Sequence, residues 1–178
     1  MAADNENAAV AFQPIDSDDD TARPSRRELG SDPLNRQIIT KLQQDGRTPY
    51  SAIARELGTS EGTVRNRVNQ MIQAKVLSII AVADPIALGN EGYALVALKL
   101  AANGDPRTAS RRLERLDEVT YILFAAGAND LVVEVICPTH RELRDFLLEH
   151  CYGQPDIATV EPMMALAMYK SLLKWGQP

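Results

Sequence analysis

The sequence predicts an α+β fold in two parts: an N-terminal helix-turn-helix (winged-helix-like) domain and a C-terminal ferredoxin-like βαββαβ domain. Short segments between residues 31 and 76 repeat apolar residues at helical spacing, each with its own start and stop signals. Beyond residue 90, β-branched runs alternate with amphipathic ones in the order strand, helix, strand, strand, helix, strand. With 178 residues, 45% of them hydrophobic, the chain has apolar material for both cores.

Residues 1–30 come first. They hold few large apolar residues, an acidic run Asp18-Asp19-Asp20 and a basic cluster Arg23, Arg26 and Arg27. Burial there cannot offset the entropy of ordering, so a disordered tail is expected, its cluster a solvated linker rather than a DNA-contacting arm.

Residues 31–76 form the expected helix-turn-helix domain. Leu34, Ile38, Ile39 and Leu42 share one stripe, with Asp32 as N-cap, Pro33 in the first turn and Gly46 as the stop. A second helix starts at Thr48-Pro49, with Thr48 capping, and turns Ile53, Ala54 and Leu57 inward. Gly58 closes it, because a tight turn there needs a left-handed residue. Ser60 caps a third helix in which Val64, Val68, Met71 and Ile72 recur at helical spacing. Residues 77–90 follow as a linker, with a strand read over Val76–Ala83 and a turn at Asp84-Pro85 and Gly89.

The C-terminal domain, residues 91–178, reads as strands at Tyr93–Leu100, Val119–Ala126, Leu131–Ile136 and Thr159 to about Tyr169. The helices fall near Arg107–Leu116 and Thr139–His150. Runs such as Ala94-Leu95-Val96-Ala97-Leu98 lack the alternation of a sheet with one wet face, so both faces want cover. Two helices cover only one face. The other is expected to meet a second copy of the chain, making a homodimer, rather than the linker or the DNA-binding domain, and a charge at Val133 or Val135 should break it if that residue faces the partner.

Composition narrows the function. The net charge is -5, yet residues 34–75 carry seven basic residues against three acids, a local excess of +4. Attraction for phosphate is thus confined to the helix-turn-helix. No apolar stretch approaches the roughly 20 residues of a membrane helix and the start lacks a basic segment followed by an apolar one, so no membrane association and a cytoplasmic location are expected. Cys137 and Cys151 are too few for a disulfide framework and read as reduced thiols, Cys137 in the core. His140 and His150 look like metal ligands beside them, but a helix between them sets them about 15 Å apart, so no metal or cofactor is expected.

In a helix-turn-helix the second helix of the motif enters the major groove of double-stranded DNA. With Val64, Val68 and Met71 inward, Glu61, Gly62, Arg65, Asn66 and Asn69 point outward. Arginine pairs bidentately with guanine and asparagine with adenine, so Arg65, Asn66 and Asn69 are the candidate base readers. Arg47, Thr63 and Arg67 are candidate phosphate contacts, and Ser60 joins them at the head of the helix. The bland alternative is a trihelical module that uses this surface for protein contacts.

The stretch from Asp32 to Gly89, with Asp45-Gly46-Arg47, Ala54, Leu57-Gly58, Ser60, Val64, Arg67-Val68, Asp84-Pro85 and Leu88-Gly89, resembles the leucine-responsive and asparagine-responsive (Lrp/AsnC) regulators. The likeness continues through Gly127-Ala128-Asn129-Asp130-Leu131, which is similar to the turn between the second and third strands of that family's sensor domain. It implies a transcriptional regulator that is dimeric through its sensor sheets, often assembles into tetramers or octamers, and responds to an amino acid or related small metabolite. Gly127, Asn129 and Asp130 become candidate effector contacts: glycine admits close approach, and Asp130 offers a carboxylate to an amino group. Read alone, the same residues make a hairpin turn. The sequence departs from the family at Lys75, where the recognition helix usually ends on glycine, at Val160 and Pro162, where threonines are usual, and at Asn129, where an aromatic residue often stands. Sirohaem decarboxylases resemble these regulators in fold, which makes a tetrapyrrole enzyme the alternative function.

Overall fold

The computed structural model describes residues 24–168, which divide into two compact units at Ala81 and Val82. The first contains α1 (Arg26–Ser31), α2 (Pro33–Gln44), α3 (Tyr50–Glu56) and α4 (Glu61–Gln73). Ile38, Ile53, Val64, Val68 and Met71 form its fully buried core, with Leu42 and Ala54 beside them. Ile72, expected on the same stripe, is 42% exposed, because it lies a quarter-turn past Met71 on the solvent side.

Two of the three expected caps in this unit are present. The Asp32 carboxylate accepts the Asn35 N–H at 2.9 Å, and the Ser60 hydroxyl accepts the Thr63 N–H at 3.1 Å. Thr48 does not cap α3: its hydroxyl donates back to the Asp45 carbonyl, and Pro49 takes the N-cap position without a side-chain bond. Gly58 adopts the left-handed conformation at φ +65°. So does Lys75, at φ 54°, closing α4 with the Val76 N–H bonded to the Met71 carbonyl and the Lys75 N–H to the Ile72 carbonyl.

Two expectations about the flanks are corrected. Residues 26–30, assigned to the disordered tail, belong to α1, while residues 1–23 lie outside the described residues. A reciprocal capping box between Ser25 and Glu28 starts α1; Leu29 is buried, and its carbonyl accepts from the buried Asn35 side-chain amide at 2.9 Å. Val76–Ala83 is not a strand. Ile79, Ile80 and Val82 are exposed, and a β-branched run without a neighbouring ladder has nothing to pair its backbone with.

The second unit is the expected βαββαβ arrangement: β1 (Gly92–Leu100), α5 (Pro106–Leu113), β2 (Val119–Phe124), β3 (Leu131–Cys137), α6 (His140–His150) and β4 (Ile157–Met164). The strand order is β2-β3-β1-β4, with every neighbouring pair antiparallel. The expected extension of the last strand to Tyr169 reaches outside the described residues. Val96 pairs with Val133 and Leu98 with Leu131, and these packed residues meet Leu113, Leu143 and Phe146 of the helices.

Register assigns the faces. Val133 and Val135 are 1% and 0% exposed and belong to the helix-covered core, so neither is a partner-facing position. The period of two puts Leu95, Val132, Leu123 and Met163 on the opposite face, where Leu95 pairs with Met163 and Val132 with Leu123. Leu95, Leu123 and Met163 are exposed there, as is Tyr121.

Candidate nucleic-acid interface and effector loop

Helix α4 presents three faces. Val64, Val68 and Met71 anchor it in the core; Glu61, Gly62, Arg65, Asn66 and Asn69 are exposed; Thr63 and Arg67 are half-buried between them. The Arg65 guanidinium donates to the Glu61 carboxylate at 2.5 Å and lies 5.5 Å from the centre of the Tyr50 ring, at the start of α3. Both members of that ion pair are about half exposed, and such pairs hold by less than about 1 kcal/mol, so Arg65 is steered but free to take a base edge. Asn66 and Asn69 stand on the same side.

The remaining candidates divide. Arg47 is exposed, in a loop shaped by its N–H bonding to Asp45 at 2.9 Å. The Ser60 and Thr63 hydroxyls lie 2.8 Å apart and are occupied in closing the head of α4. Arg67 also has a structural partner. Its Nη1 donates to Asp32 Oδ1 at 2.8 Å and to Asn35 Oδ1 at 2.9 Å, so the guanidinium braces α4 against the head of α2. The Asn35 N–H, and then Arg67, hold the Asp32 carboxyl below its usual value. Between α1 and α4 runs a groove of about 740 Å³, lined by Pro24, Glu28, Leu29, Asp32, Asn35, Thr63, Asn66, Arg67 and Gln70.

In the second unit, Asp130 locks the turn that precedes β3. Its N–H donates to the Leu98 carbonyl at 2.9 Å, and its own carbonyl accepts the Ala125 N–H at 2.8 Å. Its carboxylate accepts the Leu100 N–H at 2.8 Å and the Lys99 ammonium at 2.9 Å, and these in that order hold the Asp130 carboxyl below the usual carboxylate range. Asp130 therefore already has an amino-group partner in Lys99. Asn129 Nδ2 donates to Glu161 on β4 at 3.2 Å, and a Cβ at Gly127 would meet nothing within 4 Å. Lys99 and Glu161 escaped the sequence analysis because only the strand register reveals their proximity to the turn.

The sheet's open face carries a second polar cluster. Tyr93 and Thr120 each donate a hydroxyl to Glu134 at 2.5 Å, and burial followed by that carboxylate pushes Tyr93 up to about 12. Cys137 and Cys151 are buried, each pushed up to about 11 chiefly by burial, as befits core thiols. Among the described residues no helix is long and apolar enough to cross a membrane.

Comparison with known proteins agrees with this geometry. The AsnC-type helix-turn-helix domain matches residues 32–72, and the Lrp/AsnC ligand binding domain matches residues 93–173. An uncharacterised HTH-type transcriptional regulator of Pyrococcus furiosus is 35% identical, over 82% of this chain and 95% of its own. The regulatory protein AsnC of Escherichia coli is 29% identical, over 76% of this chain and 90% of its own. The solved structure of E. coli AsnC superposes with a TM-score of 0.64, covering 78% of this chain and 93% of that one at 27% identity. A feast or famine regulatory protein from M. tuberculosis, complexed with L-methionine, superposes with a TM-score of 0.69 at 26% identity, covering 80% of this chain and 97% of that one. With one domain for DNA and one for a ligand, matched in order along the chain, this protein belongs to the Lrp/AsnC family of transcriptional regulators.

Proposed function

We propose that the chain reads its operator through Arg65, Asn66 and Asn69, with Arg47 on the phosphates, and that an amino acid or related metabolite bound near Gly127–Asp130 modulates this. One observation carries the reading. The residue types suited to guanine and adenine edges share the exposed face of the helix whose other side anchors the domain core. The helix is thereby held rigidly while its reading face stays in solvent. The methionine bound to the M. tuberculosis relative supports an amino-acid effector. The open apolar face around Leu95, Leu123 and Met163 supports pairing of two copies through their sheets. Tetrapyrrole chemistry would favour a cleft lined by histidines, whereas His140 and His150 stand at opposite ends of α6. Sequencing the DNA bound by the full chain, with and without single amino acids, tests the proposal. A defined motif whose occupancy changes with one amino acid is expected; occupancy indifferent to sequence would overturn it.

A further inference from the structure

The described chain begins at Pro24, and Pro24 lines the groove that also contains Thr63, Asn66 and Arg67 of α4. That entry point is fixed by α1. Leu29 is buried, the Asn35 amide bonds to its carbonyl, and Arg26 Nη2 donates to the Lys75 carbonyl at the far end of α4 at 3.0 Å. Pro24, where the described residues begin, therefore stands beside the recognition helix.

What precedes it is acidic. Residues 1–23 contain Asp4, Glu6, Asp16, Asp18, Asp19 and Asp20 against Arg23 alone, a net of -5, opposite in sign to the +4 of residues 34–75. The tether is long enough. Asp20 is four residues from Pro24 and Asp16 eight, reaches of up to about 14 and 28 Å, against the roughly 20 Å length of α4. Glu28 and Asp32 at the groove repel further carboxylates, so the attracting charges are the exposed Arg47 and Arg65, the latter shared with Glu61.

We propose that the acidic segment of residues 4–20 docks on the recognition surface of its own helix-turn-helix and competes there with DNA. This rests on the assignment of α4 as the reading helix. Each contact is weak in water, but a short tether holds the segment at an effective concentration in the millimolar range, and DNA must displace it. The segment thereby sets the threshold at which DNA is occupied, and salt weakens it along with the phosphate contacts it imitates.

The test compares the full chain with a variant carrying D16N, D18N, D19N and D20N. The variant should bind DNA on the order of fivefold more tightly at low salt, with the two binding curves converging at high salt. A photoreactive side chain placed at position 19 should cross-link to residues 61–73 without DNA. Saturating DNA should abolish those links, and so should neutralising Asp16, Asp18 and Asp20. Equal affinities at low salt overturn the proposal. So does tighter binding by the variant without cross-links to α4, because the acids would then act only as diffuse charge. If cross-links to α4 appear but Arg65→Ala binds DNA normally, the segment docks as proposed and the assignment of the reading helix is what fails.

Discussion

Arg67 on α4 and Asp32 at the head of α2 are joined at 2.8 Å, and the same Asp32 caps α2 through the Asn35 N–H. The Asp32 N–H also bonds the Glu28 carbonyl, so one residue ties α1, α2 and α4 together. Arg67 is therefore expected to act on stability more than on DNA. Arg67→Ala should cost about 1 kcal/mol, the contribution of a charge-assisted bond discounted for its partial exposure. Thermal melts report that cost, and the slope of log Kd against log salt should stay as in the parent. A slope reduced by about 1 would make Arg67 a phosphate contact after all.

The same carboxylate governs acid stability. Its folded value lies below the usual 3.8, so its contribution is complete above that value and is lost as pH falls through the lowered one. Asp32→Asn should thus flatten the fall in stability below about pH 4. Urea melts at stepped acidic pH check this, and an unchanged acid limb would contradict it.

Lys75 ends α4 in the left-handed conformation without being glycine. Such a residue costs on the order of 1 kcal/mol, so Lys75→Gly should stabilise the domain by about that much and Lys75→Val should destabilise it. Denaturant midpoints at constant m measure both. A destabilised glycine variant would mean that the lysine side chain offsets its own backbone strain.

The two faces of the sheet should respond differently to charge. Leu95→Glu, on the open face, should weaken self-association at least tenfold while leaving the unit folded. Val133→Glu places an unpaired charge in the core and should unfold it. Sedimentation at low concentration separates the two outcomes, and a Leu95→Glu protein that associates like the parent would remove the sheet from the interface.

These cases mark what the sequence made legible. Val64, Val68 and Met71 declared α4 because helical periodicity is local, and the split βαβ order followed from strand and helix signals of the same local kind. Register is not local. A shift of one residue exchanges the faces of β3, and a nearly unbroken run from Leu131 to Cys137 gives no alternation to fix it, so Val133 and Val135 looked eligible for the partner side. Asn35 and Arg67 meet across residues far apart in the chain, and no spacing rule predicts that an arginine will find an asparagine and an aspartate on another helix. Helix α1 was hidden for another reason. Its one buried apolar residue is Leu29, too little to register as periodicity, and its bonds to Asn35 and Lys75 join it to other elements.

The candidate base readers were fully legible, since outward positions follow from inward ones; what they read was not. The most direct test is a selection of DNA sequences by the parent chain and by Arg65→Ala under one salt condition. Loss of preference at a guanine position, with about 1–3 kcal/mol of discrimination gone there and other positions retained, is the expected result. A selected motif and affinity identical to the parent's would mean that this helix does not read DNA through Arg65.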